Sequence, residues 1–123
     1  AVAAFDSSRP AVEALTRAAR LATGLRPLTA ETRDLFRRPL LRHELAAFDA
    51  LVLDPPRAGA EAQVRQIAAA KSPARLVYVA CDAGTFARDA AVLTGAGYRL
   101  DQVTPVDQFL FTPHVELVGV FAR

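Results

Sequence analysis

Apolar residues along this chain are gathered into short runs rich in β-branched and aromatic side chains. Runs of this kind, bounded by polar or turn-forming residues, are typical of strands buried in a sheet. They predict six strands, at 2–5, 26–31, 48–54, 74–80, 98–109 and 114–122.

The segments between these runs have apolar residues at helical spacing. The first predicted helix has Ser7 or Ser8 as its cap and Pro10 in its first turn, and Gly24 is expected to end it. Further helices are predicted at 61–71 and 84–96, and a loop with a short helix at 33–47.

Strands that alternate with helices predict an α/β fold with a mostly parallel sheet. The last two strands differ, because the connection at 110–113 is too short for a crossover between parallel strands. We therefore expect the sheet to finish with an antiparallel β-β pair.

Composition places the sequence among globular proteins. Of its 123 residues, 52% are hydrophobic, which excludes a disordered chain. No apolar run approaches the ~20 residues of a membrane span, and no signal peptide is visible. The net charge of +2 permits nucleic-acid binding without requiring it. The single cysteine excludes an internal disulfide and fits a reducing compartment.

Acidic residues follow the first two predicted strands. At the carboxyl edge of an open α/β sheet, Asp6 could accept hydrogen bonds from ribose hydroxyls, and Asp34 could accept from an adenine amino group. Each also has a plainer interpretation. Asp6 could be a helix N-cap, and Asp34 could be a solvated charge in an arginine-rich loop.

The sequence Asp54-Pro55-Pro56-Arg57 follows the strand predicted at 48–54. Two consecutive prolines fix φ twice and remove two hydrogen-bond donors, so the loop is stiff. A stiff loop at the carboxyl edge of the sheet would hold the Asp54 carboxylate beside a ligand. The alternative is a rigid turn with an exposed aspartate.

Cys81 follows the strand predicted at 74–80 and precedes a helix. A helix N-terminus favours the thiolate form of a cysteine, so the position suits a nucleophile. The alternative is a small buried hydrophobic residue, which is the commonest role of a free cysteine.

Glu116 lies in the apolar strand predicted at 114–122. A carboxylate among apolar groups holds its proton more tightly, which suits proton transfer near neutral pH. Strand alternation could equally place Glu116 on an exposed face. His114 shares the face of Glu116 and is expected to be a hydrogen-bonding neighbour.

Three segments, FDALVLDPPRAGA, YVACDAGTFARD and VDQFLFTPHVE, occur in the order and spacing of the RNA uracil-C5 methyltransferases. The sequence resembles that family over essentially its whole length. The resemblance implies a Rossmann-like class I fold that uses S-adenosylmethionine to make 5-methyluridine in ribosomal or transfer RNA. It also implies a cytoplasmic location, with no DNA substrate and no membrane partner.

The resemblance gives the catalytic candidates their roles. Cys81 matches the nucleophile, Glu116 the general base, and Asp54 the acidic residue beside the methyl donor and the target base. In that chemistry the thiolate adds to C6 of uracil, which makes C5 nucleophilic toward the methyl group. The base then removes the C5 proton and the cysteine leaves. Without Glu116, methylation is expected to occur and release to stall.

The resemblance also names cofactor contacts and departures from the family pattern. Asp6 matches the residue that binds the donor's ribose, and Asp34 matches the adenine-side contact, for which Glu31 competes. The family's frequent S-C-N-P-A-T-L-A-R-D is A-C-D-A-G-T-F-A-R-D here, and an aspartate at 82 would oppose ionisation of the neighbouring thiol. Leu110-Phe111 replaces a frequent Pro-His pair.

The resemblance begins at the family's second strand. The first strand with its Gly-rich loop, expected between the strands at 2–5 and 48–54, would precede residue 1. An RNA-binding barrel and, in some members, an iron–sulfur cluster would precede it too, with no cluster in this chain. We therefore expect a partial domain that, alone, binds S-adenosylmethionine weakly or not at all and self-associates through exposed sheet edges.

Two other functions remain open. An amino-directed methyltransferase acting on adenine or guanine has a related D/N-P-P loop. Such enzymes usually carry an aromatic residue where this sequence has Arg57, and their reaction needs no Cys81. The second alternative is a partial domain that is inactive and has only a structural role.

Overall fold

The computed structural model describes residues 1–107, 111–112 and 114–123. Gln108 and Phe109, at the end of the strand predicted at 98–109, lie outside these residues, as do Leu110 and Pro113 of the connection at 110–113. The chain divides into two compact units, Ala1–Pro39 and Leu40–Arg123.

The first unit is a β-α-β arrangement. Strand β1 (Val2–Asp6) pairs in parallel with β2 (Leu28–Thr32), and helix α1 (Arg9–Leu21) connects them. Ser8 is the N-cap of α1, because its hydroxyl accepts a hydrogen bond from the Ala11 amide at 3.4 Å. The β-α-β prediction for this part of the chain is confirmed.

Helix α1 ends three residues before the glycine that was predicted to stop it. Ala22 already has extended backbone, with ψ at 139°, while its amide still donates to the Ala18 carbonyl. Gly24 has φ at +77° and belongs to the connection that follows. A left-handed backbone at this glycine therefore redirects the chain after the helix has ended.

The second unit contains a four-stranded sheet with the spatial order β3-β4-β6-β5. Strands β3 and β4 are parallel, and β6 runs antiparallel to both of its neighbours, β4 and β5. Three of the four strands therefore point the same way, as predicted, and the closing antiparallel pair is confirmed. The elements are α2 (Arg42–Leu45), β3 (Ala50–Leu53), α3 (Glu61–Ala70), β4 (Arg75–Ala80), α4 (Ala83–Gly95), β5 (Arg99–Val106) and β6 (Glu116–Ala122).

Strand β3 is not buried on both sides, contrary to the prediction for 48–54. Leu53 is 8% exposed, whereas Val52, on the opposite face, is 70% exposed. Within the described residues β3 pairs with β4 alone, so it is an edge strand. An apolar run indicates a strand, but it does not tell whether both faces are covered.

Aromatic side chains join helix α4 to the sheet. The Phe86 ring meets Tyr78 edge-on at 5.6 Å between centroids, and it lies 6.3 Å from Phe121. Gly119 makes this packing possible, because a Cβ there would lie 2.7 Å from the Phe86 ring. Helix α4 is therefore held close against β4 and β6, next to the end of β4 that carries Cys81.

Candidate active site

Cys81 and Glu116 lie at the same edge of the four-stranded sheet, beside the paired ends of β4 and β6. Ala80 and Leu117 are the last paired positions of β4 and β6, and each step forward along β4 is one step back along β6. Cys81 is the first residue after β4, and Glu116 is the first residue of β6, so both come directly beyond the Ala80–Leu117 pair. If the register continued by one residue, the two would be level, and directly opposite residues have Cβ atoms about 4.5–5.5 Å apart. We therefore expect the thiol and the carboxylate to lie near one another at this edge.

Both side chains are half-buried. Cys81 is not a fully enclosed core thiol, so the interpretation as a small buried hydrophobic residue is not favoured. Glu116 is neither fully buried nor fully exposed. Its exposure is intermediate between the two alternatives given by the sequence, which were burial among apolar groups and an exposed face. His114 is exposed, and its amide donates to the Thr112 hydroxyl at 3.3 Å.

Asp54 follows β3 at the same edge. Leu53 is opposite Tyr78 in the parallel register, so Asp54 and Cys81 continue from neighbouring strands in the same direction. Neighbouring strands lie about 4.8 Å apart. Asp54 is exposed, so its carboxylate is accessible at the edge where the thiol and Glu116 are found.

Asp82 is the N-cap of α4. Its Oδ1 atom accepts from the Thr85 amide at 2.9 Å, and its Oδ2 atom lies 3.6 Å from Nη2 of Arg57. The hydrogen bond from the Thr85 amide, another from Gly84 and the nearby Arg57 charge hold the pKa of Asp82 below its usual range. The Asp82 carboxylate, next to Cys81 in the sequence, thus caps helix α4, and the Arg57 charge partly balances its negative charge.

Three side chains of α4 bind the loop that follows Asp54. The Thr85 hydroxyl donates to the Arg57 carbonyl at 2.9 Å, and Nη2 of Arg88 donates to the Ala58 carbonyl at 3.0 Å. The Ala60 amide donates to Oδ2 of Asp89 at 2.7 Å. Helix α4, which starts next to Cys81, therefore holds the backbone that carries Asp54 and Arg57.

Asp89 is a fully buried carboxylate. Besides Ala60, it accepts from the Tyr78 hydroxyl at 2.6 Å and from Nε of Arg88 at 2.9 Å. Burial and the hydrogen bond to Asp89 raise the pKa of the Tyr78 phenol far above its usual value. The phenol therefore stays protonated and remains a hydrogen-bond donor to the carboxylate.

Thr85, Arg88 and Asp89 were not among the candidates predicted from the sequence, although all three belong to a segment that carries the resemblance. The sequence does contain a pattern that indicates a buried, hydrogen-bonded role for Asp89. Asp89 shares a face of α4 with the buried residues Phe86 and Leu93, and a carboxylate on an apolar helix face needs buried partners.

Asp6 lies at the carboxyl end of β1, in the first unit. Its side chain is exposed, and Oδ1 accepts from the Ser8 amide at 2.6 Å. Since Ser8 is the N-cap of α1, the interpretation of Asp6 as the cap is wrong. The Ser8 amide instead orients the Asp6 carboxylate at the surface.

Asp34 is engaged by its own turn. Oδ1 accepts from the amides of Phe36 at 2.9 Å and Arg37 at 3.3 Å, and Oδ2 lies 3.6 Å from Nε of Arg37. Glu31, its competitor, is exposed and lies 3.6 Å from Nη2 of Arg38. These local partners favour the interpretation of Asp34 as a turn residue in an arginine-rich loop.

A cleft of about 520 Å³ in the first unit lies between α1 and the chain entering β2. Its lining includes Arg20, Leu25 and the first residues of β2, whereas Asp6 and Asp34 follow the opposite, carboxyl ends of the strands. The cleft is therefore separate from the acidic candidates of that unit.

The described residues lack two kinds of feature. No group of three or more histidine, cysteine, aspartate or glutamate side chains within 1–107, 111–112 and 114–123 is arranged to hold a metal ion. In the same part of the chain, no helix is long and apolar enough to cross a membrane.

The fold is that of Rossmann-like S-adenosylmethionine-dependent methyltransferases, as a solved structure shows. The crystal structure of Pyrococcus abyssi tRNA (uracil-54, C5)-methyltransferase in complex with S-adenosyl-L-homocysteine is similar, with a TM-score of 0.80 and 33% identity over 98% of this chain and 28% of that chain. A putative methyltransferase from Thermoplasma acidophilum has a TM-score of 0.66 over 98% of this chain and 56% of its own, and at 10% identity it shows the fold alone.

Residues 7–123 match the family described as tRNA (Uracil-5-)-methyltransferase, and the chain belongs to that family. An uncharacterized RNA methyltransferase of Caulobacter vibrioides is 55% identical over 99% of this chain and 29% of its own length. One from Agrobacterium fabrum is 51% identical with the same coverage. The chain thus spans less than a third of the length of these relatives.

Proposed function

We propose that this chain carries the catalytic residues of an RNA uracil-C5 methyltransferase, which transfers a methyl group from S-adenosylmethionine to C5 of a uridine. The observation that carries the proposal is that Cys81, Glu116 and Asp54 lie at the same edge of one sheet, at the ends of the neighbouring strands β4, β6 and β3. The family description and the name of the Pyrococcus protein both specify uracil and tRNA, so a transfer RNA is favoured over a ribosomal one.

Cys81 is the proposed nucleophile. Its thiolate adds to C6 of the uracil ring, forming an S–C6 bond and moving electron density to C5 and the carbonyl oxygen. Half-burial suits this role, because the thiol is reachable yet shielded from bulk water. The Arg57 side chain lies 3.6 Å from the carboxylate of Asp82, the residue that follows Cys81.

Glu116 is the proposed base for the second half of the reaction. It takes the C5 proton, and the electron pair of that C–H bond restores the C5–C6 double bond while the S–C6 bond breaks. The pairing of β4 with β6 suits this division, because the groups that act on C6 and on C5 approach from neighbouring strands. Asp54, on the stiff loop at the same edge, is the residue proposed to lie beside the methyl donor and the target uracil.

The acidic residues of the first unit fit the methyl donor unequally. Asp6 fits, because its carboxylate is exposed at the carboxyl end of β1 and oriented by the Ser8 amide to accept from a ribose. Asp34 fits less well, because its own turn already engages both oxygens. S-Adenosylmethionine, when bound, would supply an electrophilic methyl group. We place the activity in the cytoplasm, where Cys81 would stay reduced.

The test is covalent trapping by the full-length protein. Fluorine at C5 cannot leave as a proton, so RNA containing 5-fluorouridine, incubated with S-adenosylmethionine, is expected to stay bound through Cys81. Mass spectrometry should locate the adduct on that residue, and Cys81→Ala should abolish it. Methylation without an adduct would refute the proposal and favour an amino-directed methyltransferase.

Glu116→Gln provides a second test on ordinary RNA. Because the variant lacks the base, the methylated uridine is expected to remain attached to Cys81, and the protein–RNA adduct should accumulate without fluorine. Glu13→Gln is the matched control, since Glu13 is an exposed glutamate on α1 that pairs with Arg9. Normal product release by Glu116→Gln would show that another group is the base.

A further inference from the structure

Side chains of helix α4 bind backbone groups of the loop that follows β3. Thr85 and Arg88 donate to the carbonyls of Arg57 and Ala58, and Asp89 accepts from the amide of Ala60. We call Thr85, Arg88 and Asp89 the α4 clamp. Three nearly consecutive peptide groups of one loop are thus fixed by one turn and a half of helix.

We infer that the α4 clamp positions the Asp54–Arg57 loop relative to Cys81, and that Arg88 and Asp89 are positioning residues for catalysis. The inference rests on the proposed function for what the loop does, and on the contacts of these side chains for how it is held. The clamp touches neither reacting atom directly.

The burial of Asp89 indicates that the clamp holds the loop firmly. The carboxylate is 0% exposed and is shared between the Ala60 amide of the loop and the Tyr78 hydroxyl of β4. A buried carboxylate is costly without partners, so both bonds are held strongly. Asp89 thereby ties the loop to the strand that ends at Cys81.

Arg88 connects the buried carboxylate to the loop. Its Nε donates to Asp89 and its Nη2 donates to the Ala58 carbonyl, so the planar guanidinium sets the distance between the two. A lysine side chain has a single terminal nitrogen, at a different distance from the backbone than the guanidinium nitrogens. It therefore cannot make both hydrogen bonds in this geometry.

The constraint is transmitted to Asp54 because the loop is stiff. Pro55 and Pro56 have fixed φ angles, and the Gly59 amide donates to the Pro56 carbonyl at 2.8 Å. Asp82, next to Cys81, caps the same helix that carries the clamp. The two candidate catalytic segments therefore share one support.

Arg88→Lys and Asp89→Asn in the full-length protein test this inference. The chain offers a matched pair of controls, Arg99→Lys and Asp101→Asn, because Arg99 and Asp101 form an exposed ion pair on β5. The measurements are kcat, KM for RNA and for S-adenosylmethionine, and hydrogen exchange of the amides at 57–60, all well below each variant's melting temperature.

We expect Arg88→Lys to lower kcat by ~10- to 100-fold with both KM values within about threefold, as for a small displacement of a catalytic group. Exchange at Gly59 and Ala60 should become faster, and the controls should match wild type. A purely structural role would lower the melting temperature and leave kcat of the folded fraction unchanged. That result, or unchanged exchange at Ala60, would overturn the inference.

Failure of this inference can be distinguished from failure of a variant to fold and from failure of the proposed function. If Asp89→Asn does not fold, Arg88→Lys alone decides, because its side chain is partly exposed and keeps its charge. If the wild-type protein forms neither adduct nor methyluridine, the proposed function fails. Hydrogen exchange then still tests the clamp. Faster exchange at Ala60 in Arg88→Lys than in wild type would support the clamp, and equal exchange would overturn it.

Discussion

Two glycines with nearly equal backbone angles allow a sharp test of the loop geometry. Gly59 has φ at +79° and Gly24 has φ at +77°. A Cβ added at Gly59 would lie 2.6 Å from Nη2 of Arg88 and 2.8 Å from Oδ2 of Asp89, whereas a Cβ at Gly24 would meet nothing within 4 Å. Alanine at each position is strained by a positive φ, and only at Gly59 does its methyl group also intrude on the α4 clamp.

The expected magnitudes follow from these contacts. A left-handed alanine costs about 1–2 kcal/mol, which applies to both variants. At Gly59 the methyl group must also displace a polar atom of Arg88 or Asp89, and loss of one hydrogen bond to a charged group costs about 1.5–3 kcal/mol more. We therefore expect Gly59→Ala to be less stable than Gly24→Ala by about 2 kcal/mol.

Calorimetry of the full-length variants measures this difference. A gap of about 2 kcal/mol corresponds to roughly 4–8 °C in Tm for a cooperative unit of ~150–250 residues. Gly59→Ala should also lose methylation, because the displaced clamp moves the loop. Equal Tm values for the two variants, with full activity, would refute the reasoning from the clamp.

Further predictions concern the core, the helix cap and the sheet edges. Gly119→Ala drives a methyl group into the Phe86 ring and should lower stability by about 1–3 kcal/mol, while Gly95→Ala, with nothing within 4 Å, should not; equal thermal shifts would contradict this. The pKa of Asp82 is lowered on folding, so its stabilisation is present above about pH 3.9 and is lost as pH falls below that value toward the folded pKa. Asp82→Asn keeps the cap without titrating, so its Tm should lie below wild type at pH 7 and converge with it at pH 3; a gap independent of pH would count against this. Self-association of the 123-residue chain through sheet edges stays a prediction, which light scattering would contradict by finding a monomer.

The order of elements was predictable from the sequence because it depends on local patterns. Apolar runs and helical spacing lie within a few residues of the observed strands and helices. The stop of α1 was misplaced, because a glycine in a connection has the same sequence signal as one at a helix end. The exposure of Val52 was missed, because edge and central strands differ in their neighbours and not in their own residues.

The candidate site was predictable residue by residue but not as an arrangement. Cys81 and Glu116 were singled out by residue type and by resemblance, and their catalytic roles stay predictions. Their placement at the same edge depends on β6 lying between β4 and β5, which no local pattern indicates. The α4 clamp depends on the packing of a helix against a loop about 30 positions away in sequence, which periodicity cannot show.

The place of β6 in the sheet has a consequence for how the protein is made. Strand β5 is synthesised before β6, yet its partner in this sheet is β6. During translation β5 therefore cannot pair until β6 has been synthesised. The edge of β4 that pairs with β6 also stays unpaired until residues 116–122 have left the ribosome. Glu116, the proposed base, is the first residue of that same strand, so a nascent chain would carry the proposed nucleophile, Cys81, before the proposed base. Closure of the sheet would then also bring the two proposed catalytic residues to the same edge.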